Sequence, residues 1–95
     1  MQNTDRFLQP EPYSPCLSAL LEDQKGHWDK AHQLIQDLDT PDAAWVHAYL
    51  HRKEGDSSNA DYWYRRAGRK RPDQSLQEEW NSLKEYFVKK AQKQP

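Results

Sequence analysis

Cysteine is nearly absent from this chain: Cys16 stands alone in 95 residues. No intramolecular disulfide can form, and a single thiol fits a reducing compartment. Glycine is almost as scarce. Three scattered glycines cannot build the Gly-rich loop that cradles a phosphate. Long apolar runs are missing, so no membrane-spanning helix is expected. The opening residues MQNTDRFLQPEPYSP hold neither a basic stretch nor an apolar one. No signal peptide is expected there, and the expected location is cytoplasmic, away from any membrane. Alternating polar and apolar residues and hairpin turn pairs are also missing, which excludes strands. Ser14, Ser18, Ser57, Ser58, Ser75 and Ser82 lie in no nucleophile-elbow context,. Cys16 has no histidine near it in sequence. A non-enzymatic protein with no cofactor is the expectation.

Aromatic residues, by contrast, are plentiful. They make up 12% of the chain, with four Trp and five Tyr, against 35% hydrophobic and 31% charged residues overall. A chain of this length buries about 60–65% of its unfolded surface, which makes a modest core. Large rings help to close such a core, because each buries roughly 150–250 Å². Net charge is −1 but unevenly spread. Residues 1–60 carry ten acids and five bases; residues 61–95 carry five acids and nine bases. That asymmetry can steer a charged partner or favour self-association, although polar faces of opposite sign need no function.

Apolar spacing predicts a single all-α domain over residues 14–92, of about five antiparallel helices. Residues 1–13, with Pro10 and Pro12, read as an extended arm, and residues 93–95 as a frayed tail. The first helix starts at Ser14 with Pro15 in its first turn; Leu17, Leu20 and Leu21 share one side, and Gly26 ends it. The second covers residues 27–37, with Trp28, Ala31, Leu34, Ile35 and Leu38 at helical spacing. Thr40 and Pro41 open the third, which runs to Glu54. It is apolar nearly all round, so it belongs at the centre. Asp56, Ser57 or Ser58 caps the fourth, whose stripe is Ala60, Trp63, Tyr64 and Ala67. Ser75–Glu78 is a capping box for the fifth. There Leu76, Trp80, Leu83 and Phe87 form the stripe, with fraying expected beyond Val88.

Gly26 precedes Ala31 by five residues, as Gly55 precedes Ala60. Ala60, Tyr64, Ala67 and Pro72, with Ala48 one helix earlier, give the small–aromatic–small–proline order of a close-packed helical hairpin. At these residues the chain resembles tetratricopeptide and Sel1-like repeats, and Ala60–Ala67 is similar to the A-x-x-W-Y-R-K-A end of a Sel1-like repeat. An earlier unit matches through Ala19, Gly26 and Ala31. The two units are offset by 29 residues, against about 34 or more in such repeats. Two units could therefore close into a bundle rather than an open superhelix. Residues 47–69 also resemble part of small bacterial proteins, which implies no function.

The repeat resemblance implies two hairpins with a C-terminal capping helix, acting as a non-catalytic protein- or peptide-binding module. It implies a concave groove lined by Tyr13, Cys16, Leu20 and Asp23 from the first helix. Trp45, Tyr49, Arg52 and Lys53 would face it from the third. Two rings beside two cations suit a peptide that carries an acidic group. The competing reading makes Trp45 and Tyr49 core residues, covered by the arm or another helix. On the groove reading, Trp45→Ala or Arg52→Ala weakens partner binding by ~1–3 kcal/mol.

Two other constellations stand out. His47 and His51 lie four apart on one helix with Glu54 a turn on, a spacing that can chelate zinc. A third ligand would be Glu54, or His27 or His32 from across the hairpin. Ala48 follows His47 where a zincin motif needs glutamate, so metal binding is the alternative and not the main expectation. Arg65–Arg71 holds five bases in seven residues beside Trp63 and Tyr64. It could grip a nucleic-acid backbone. The overall charge argues against that partner, and cations at a helix C-terminus also favour the helix dipole. The expected partner is a protein or peptide, with a second copy of the chain as one form of it.

Overall fold

The computed structural model describes residues 14–92. The expected arm, including Tyr13, and the expected tail lie outside the described residues. Five helices follow in order: α1 (Ser14–Gln24), α2 (Trp28–Ile35), α3 (Pro41–Glu54), α4 (Ser57–Arg66) and α5 (Leu76–Gln92). Among the described residues there is no strand, and the fold is all-α. No helix there is long and apolar enough to cross a membrane.

Local chemistry sets the helix ends. The Thr40 hydroxyl accepts the Ala43 amide (3.1 Å) at the start of α3, with Pro41 in the first turn. Asp56 caps α4 by accepting the Asn59 amide (3.3 Å). Ser75 and Glu78 satisfy each other's amides at α5: Glu78 N–H donates to Ser75 Oγ (3.0 Å) and Ser75 N–H to Glu78 Oε1 (2.8 Å). Gly26 and Gly55 end α1 and α3 in the same way, at φ of 91° and 93°. In each case the glycine N–H and the next amide turn back to carbonyls of the last turn. Gly26 donates to Asp23 and His27 to Glu22, as Gly55 donates to Arg52 and Asp56 to His51. Only glycine enters that left-handed region without strain.

These turns fold α2 back on α1 and α4 back on α3. Helix α3 touches all four other helices, and every residue from Ala43 to His51 is buried. That is what a helix apolar on all sides requires. Ala31 and Ala60 are fully buried, as are Ala48 and Tyr64 or nearly so. Helix α5 lays Trp80, Leu83 and Phe87 onto α1 and α3. The Trp80 indole N–H donates to the Leu20 carbonyl (3.0 Å), and Trp28 likewise reaches the Leu50 carbonyl (2.8 Å).

Three details depart from the spacing argument. Helix α2 ends at Ile35, so Leu38 falls past it and stays exposed. Leu21 is 45% exposed, because it sits off the Leu17–Leu20 face that α1 buries. Helix α5 continues to Gln92 and does not fray after Val88. Asp42 explains this: it accepts from Tyr86 (2.8 Å) and pairs with Lys90, tying the last turns of α5 to the start of α3.

Candidate functional site

Helix α5 fills the groove expected between the odd helices. Leu20, Trp45 and Tyr49 are buried, together with Cys16 and Asp23. Their polar atoms are committed internally. Asp23 on α1 accepts from Tyr49 Oη (2.9 Å) and Lys53 Nζ (2.9 Å). Glu79 on α5 is fully buried and is the centre of a second network. Its carboxylate accepts from the Trp45 indole (3.2 Å), Arg52 (2.8 Å) and the Tyr64 hydroxyl (2.8 and 2.6 Å). Arg52 also reaches the Gln74 carbonyl. The Arg69 guanidinium lies 3.5 Å from the centre of the Trp45 ring, and Tyr86 packs against that ring edge-on. What remains of the groove is a cavity of about 130 Å³ lined by Asp23, Gln24, Tyr49, Lys53, Gln77 and Trp80.

The physical reason is area. Two hairpins leave the inner face of α3 uncovered, and an amphipathic helix that follows in sequence gains by burying it. Leu20, Trp45, Tyr49 and Arg52 are thus packing and network residues among the described elements, and Lys53 holds Asp23 at the rim. Burial and the nearby carboxylates push the phenols upward, Asp23 acting on Tyr49 and Glu79 on Tyr64. Burial, with Asp42 adding to it, also pushes the Cys16 thiol to about 12. Such a thiol is no nucleophile at neutral pH.

The histidines assemble differently from the order of the sequence. His47 and His51 project from α3, and His32 of α2 meets them. His32 Nε2 and His47 Nε2 are 3.0 Å apart, and one ring nitrogen from each of the three lies within 4.8 Å of the others. Glu54 does not join the three rings. Its Oε2 holds His51 Nδ1 at 2.7 Å from the outer side. His27 faces away, against Glu22 (2.8 Å). Two tryptophans wall the cluster: Trp28 stacks on His32 (5.0 Å, 9°) and Trp63 on His47 (3.9 Å, 16°). Burial, reinforced by His32 and His51, pulls the His47 imidazole down to about 3. Burial also lowers His32.

The basic run forms a third feature. Past Arg66 the chain turns at Gly68, where the Arg69 amide returns to the Tyr64 carbonyl (2.8 Å). An open cleft of about 330 Å³ results, lined by Asp61, Tyr64, Arg65, Arg69, Lys70 and Arg71. Arg71 pairs with Asp61 (3.2 Å). Among the described residues, Arg65, Arg69 and Lys70 have no carboxylate partner within ion-pair distance. The aromatic rings nearby are already engaged: Tyr64 by Glu79, Trp63 by His47, Trp45 by Arg69.

Sequence reasoning missed Glu79 and ranked His32 behind Glu54. A signal existed for Glu79: it lies three after Leu76 and four before Leu83, which puts an acid on the buried face of α5. His32 had none beyond its place in a hairpin. Compared with protein-family models, curated proteins and solved structures, the chain matches none.

Proposed function

We propose that this chain is a non-catalytic helical binding domain that engages an acidic segment of a partner protein. The observation that carries the reading is the cleft between the end of α4 and the following turn, where Arg65, Arg69 and Lys70, without a carboxylate partner among the described residues, line an open cavity. Arginine forks match carboxylates in geometry, and clustered arginines are common anchors in interfaces. The resemblance of Ala60–Ala67 to peptide-binding repeats supports the same class, with the binding surface moved from the filled groove to this basic end. A buried, high-pKa thiol as the single cysteine agrees with a role without covalent catalysis.

A protein segment is favoured over nucleic acid by one feature. Single-strand binders stack bases on aromatic faces, and the rings beside this cleft are all occupied by internal partners. The test compares a labelled Glu-rich peptide with a single-stranded oligonucleotide of equal charge at several salt concentrations. The expected result is selective peptide binding, weakened about tenfold or more by Arg65→Glu with Lys70→Glu at unchanged melting temperature. Preference for the oligonucleotide would move the chain to the nucleic-acid adaptors. Binding of neither, or binding indifferent to the charge reversal, overturns the cleft as the contact surface.

A further inference from the structure

We propose that His32, His47 and His51 form a three-imidazole site for a divalent transition metal of the zinc class, clamping the first helical hairpin to the second. His47 and His51 sit one turn apart on α3, their rings 4.9 Å apart. His32 comes from α2, across the contact between the hairpins. The reading is independent of the basic cleft and uses none of its residues.

Geometry is the first argument. Zinc binds imidazole nitrogen at about 2.0–2.1 Å, which sets neighbouring nitrogens of a tetrahedral site about 3.4 Å apart. The observed separations, from 3.0 Å between His32 and His47 up to at most 4.8 Å, bracket that value. Small changes of side-chain torsion bring all three onto one ion.

The second argument is which nitrogen each ring offers. Glu54 takes the Nδ1 hydrogen of His51 (2.7 Å), which fixes the tautomer that leaves Nε2 unprotonated, with only the Asn59 amide against it at 3.4 Å. A carboxylate behind a ligating histidine is the usual outer partner at metal sites, and it raises ligand basicity. His32 and His47 present Nε2 to each other at 3.0 Å. A hydrogen bond between them uses one proton and one lone pair, whereas a cation satisfies both lone pairs and that of His51 together. The rings are also held in place. Trp28 and Trp63 stack on His32 and His47, so little side-chain entropy remains to be lost on binding. Glu54 and Asp56, both near His51, place negative charge beside the incoming cation.

The ligand set selects the metal. Three nitrogens with no thiolate suit Zn²⁺, Co²⁺, Ni²⁺ or Cu²⁺ and disfavour Ca²⁺ and Mg²⁺, which require oxygen cages. Three protein ligands leave a fourth position open to water, and the Asn59 amide, 3.4 Å from His51 Nε2, gives up that weak contact when the ion takes the lone pair.

The test uses tag-free full chain and the bare metals. Co²⁺ titration is expected to give the visible absorption of a tetrahedral nitrogen site, saturating at one ion per chain and displaced by Zn²⁺. Ni²⁺ should quench tryptophan fluorescence, because Trp28 and Trp63 touch the ligands. Zn²⁺ should raise the melting temperature, and Mg²⁺ should leave it unchanged. Glu54→Gln is expected to weaken binding about ten- to hundredfold, and His32→Ala to weaken it further. The exposed His27→Ala should bind like wild type. His47→Ala leaves a hole in the core, so His32→Ala, at the half-exposed rim of the cluster, is the decisive variant, with helicity checked by circular dichroism. Absence of Co²⁺ and Zn²⁺ binding at micromolar concentration overturns the proposal and leaves a hydrogen-bonded histidine cluster. Undiminished binding in folded His32→Ala also overturns it, by placing the ion elsewhere.

Discussion

Removing the Glu79 carboxylate should cost this fold a large share of its stability. Glu79 is fully buried and accepts from Arg52, Tyr64 and Trp45. In Glu79→Ala the hydroxyl of Tyr64, itself buried, loses its acceptor, as does the Trp45 indole. Each orphaned donor costs about 1–3 kcal/mol. Arg52 suffers less, because its side chain is 19% exposed and can turn to water. Relief from burying the carboxylate itself offsets part of the loss. Breaking a buried pair from one side costs ~3–5 kcal/mol in all. At ~0.05–0.15 kcal/mol per residue, a domain of this size holds only about 5–14 kcal/mol. The melting temperature should fall by roughly 12–40 °C, at about 4–8 °C per kcal/mol.

Urea and thermal unfolding followed by circular dichroism read this directly. Glu79→Gln keeps one acceptor oxygen and loses the charge, so it should fall between wild type and alanine. Arg52→Ala should itself destabilise, and the double variant with Glu79→Ala should cost clearly less than the two single losses added together. The groove reading expects a different outcome for Arg52→Ala: an intact fold and weaker partner binding by ~1–3 kcal/mol. A loss below ~1 kcal/mol for Glu79→Ala would refute the network argument, as would strict additivity with Arg52→Ala.

Three smaller perturbations test the helix ends and the core thiol. Thr40→Ala removes the cap on the Ala43 amide and should cost about 1 kcal/mol in urea denaturation. Gly55→Ala meets no neighbouring atom but must hold φ near +93°, so a loss of about 1–2 kcal/mol is expected from backbone strain alone; a stabilised variant would contradict the turn. Cys16 should resist a thiol reagent at pH 8 until the protein unfolds, since burial raises it from 9.0 to about 12. A raised folded pKa favours the fold below pH 9 and is lost as pH climbs toward 12. Wild type should therefore lose up to ~1.4 kcal/mol per pH unit across that window relative to Cys16→Ala.

What was legible in the sequence follows what helical periodicity can encode. Helix ends were readable because caps and glycine turns are local: Thr40, Gly55 and the Ser75–Glu78 box act within four residues of themselves. The central place of α3 was readable because apolar residues on all its faces leave no side for water. The site was less so, because its chemistry is set across helices. His47 and His51 share a face by spacing alone, but only the register of α2 against α3 decides that His32, and not His27 or Glu54, completes the triad. Glu79 makes the same point more sharply. Its neighbours in space come from α3 and α4, with Tyr64 15 residues away and Trp45 34 away, and no local rule links them. The same acid that looks solvated on an amphipathic helix becomes the acceptor for an indole, a phenol and a guanidinium once α5 lies on α3. It also explains why the groove closes. The inner face of α3 carries donors as well as rings, and a covering helix is tolerated there only if it brings an acceptor. The purely apolar stripe Leu76–Trp80–Leu83–Phe87 would have left Tyr64 and Trp45 unsatisfied. Glu79 is the residue that lets α5 lie on the inner face of α3, because it accepts from both Trp45 and Tyr64 there.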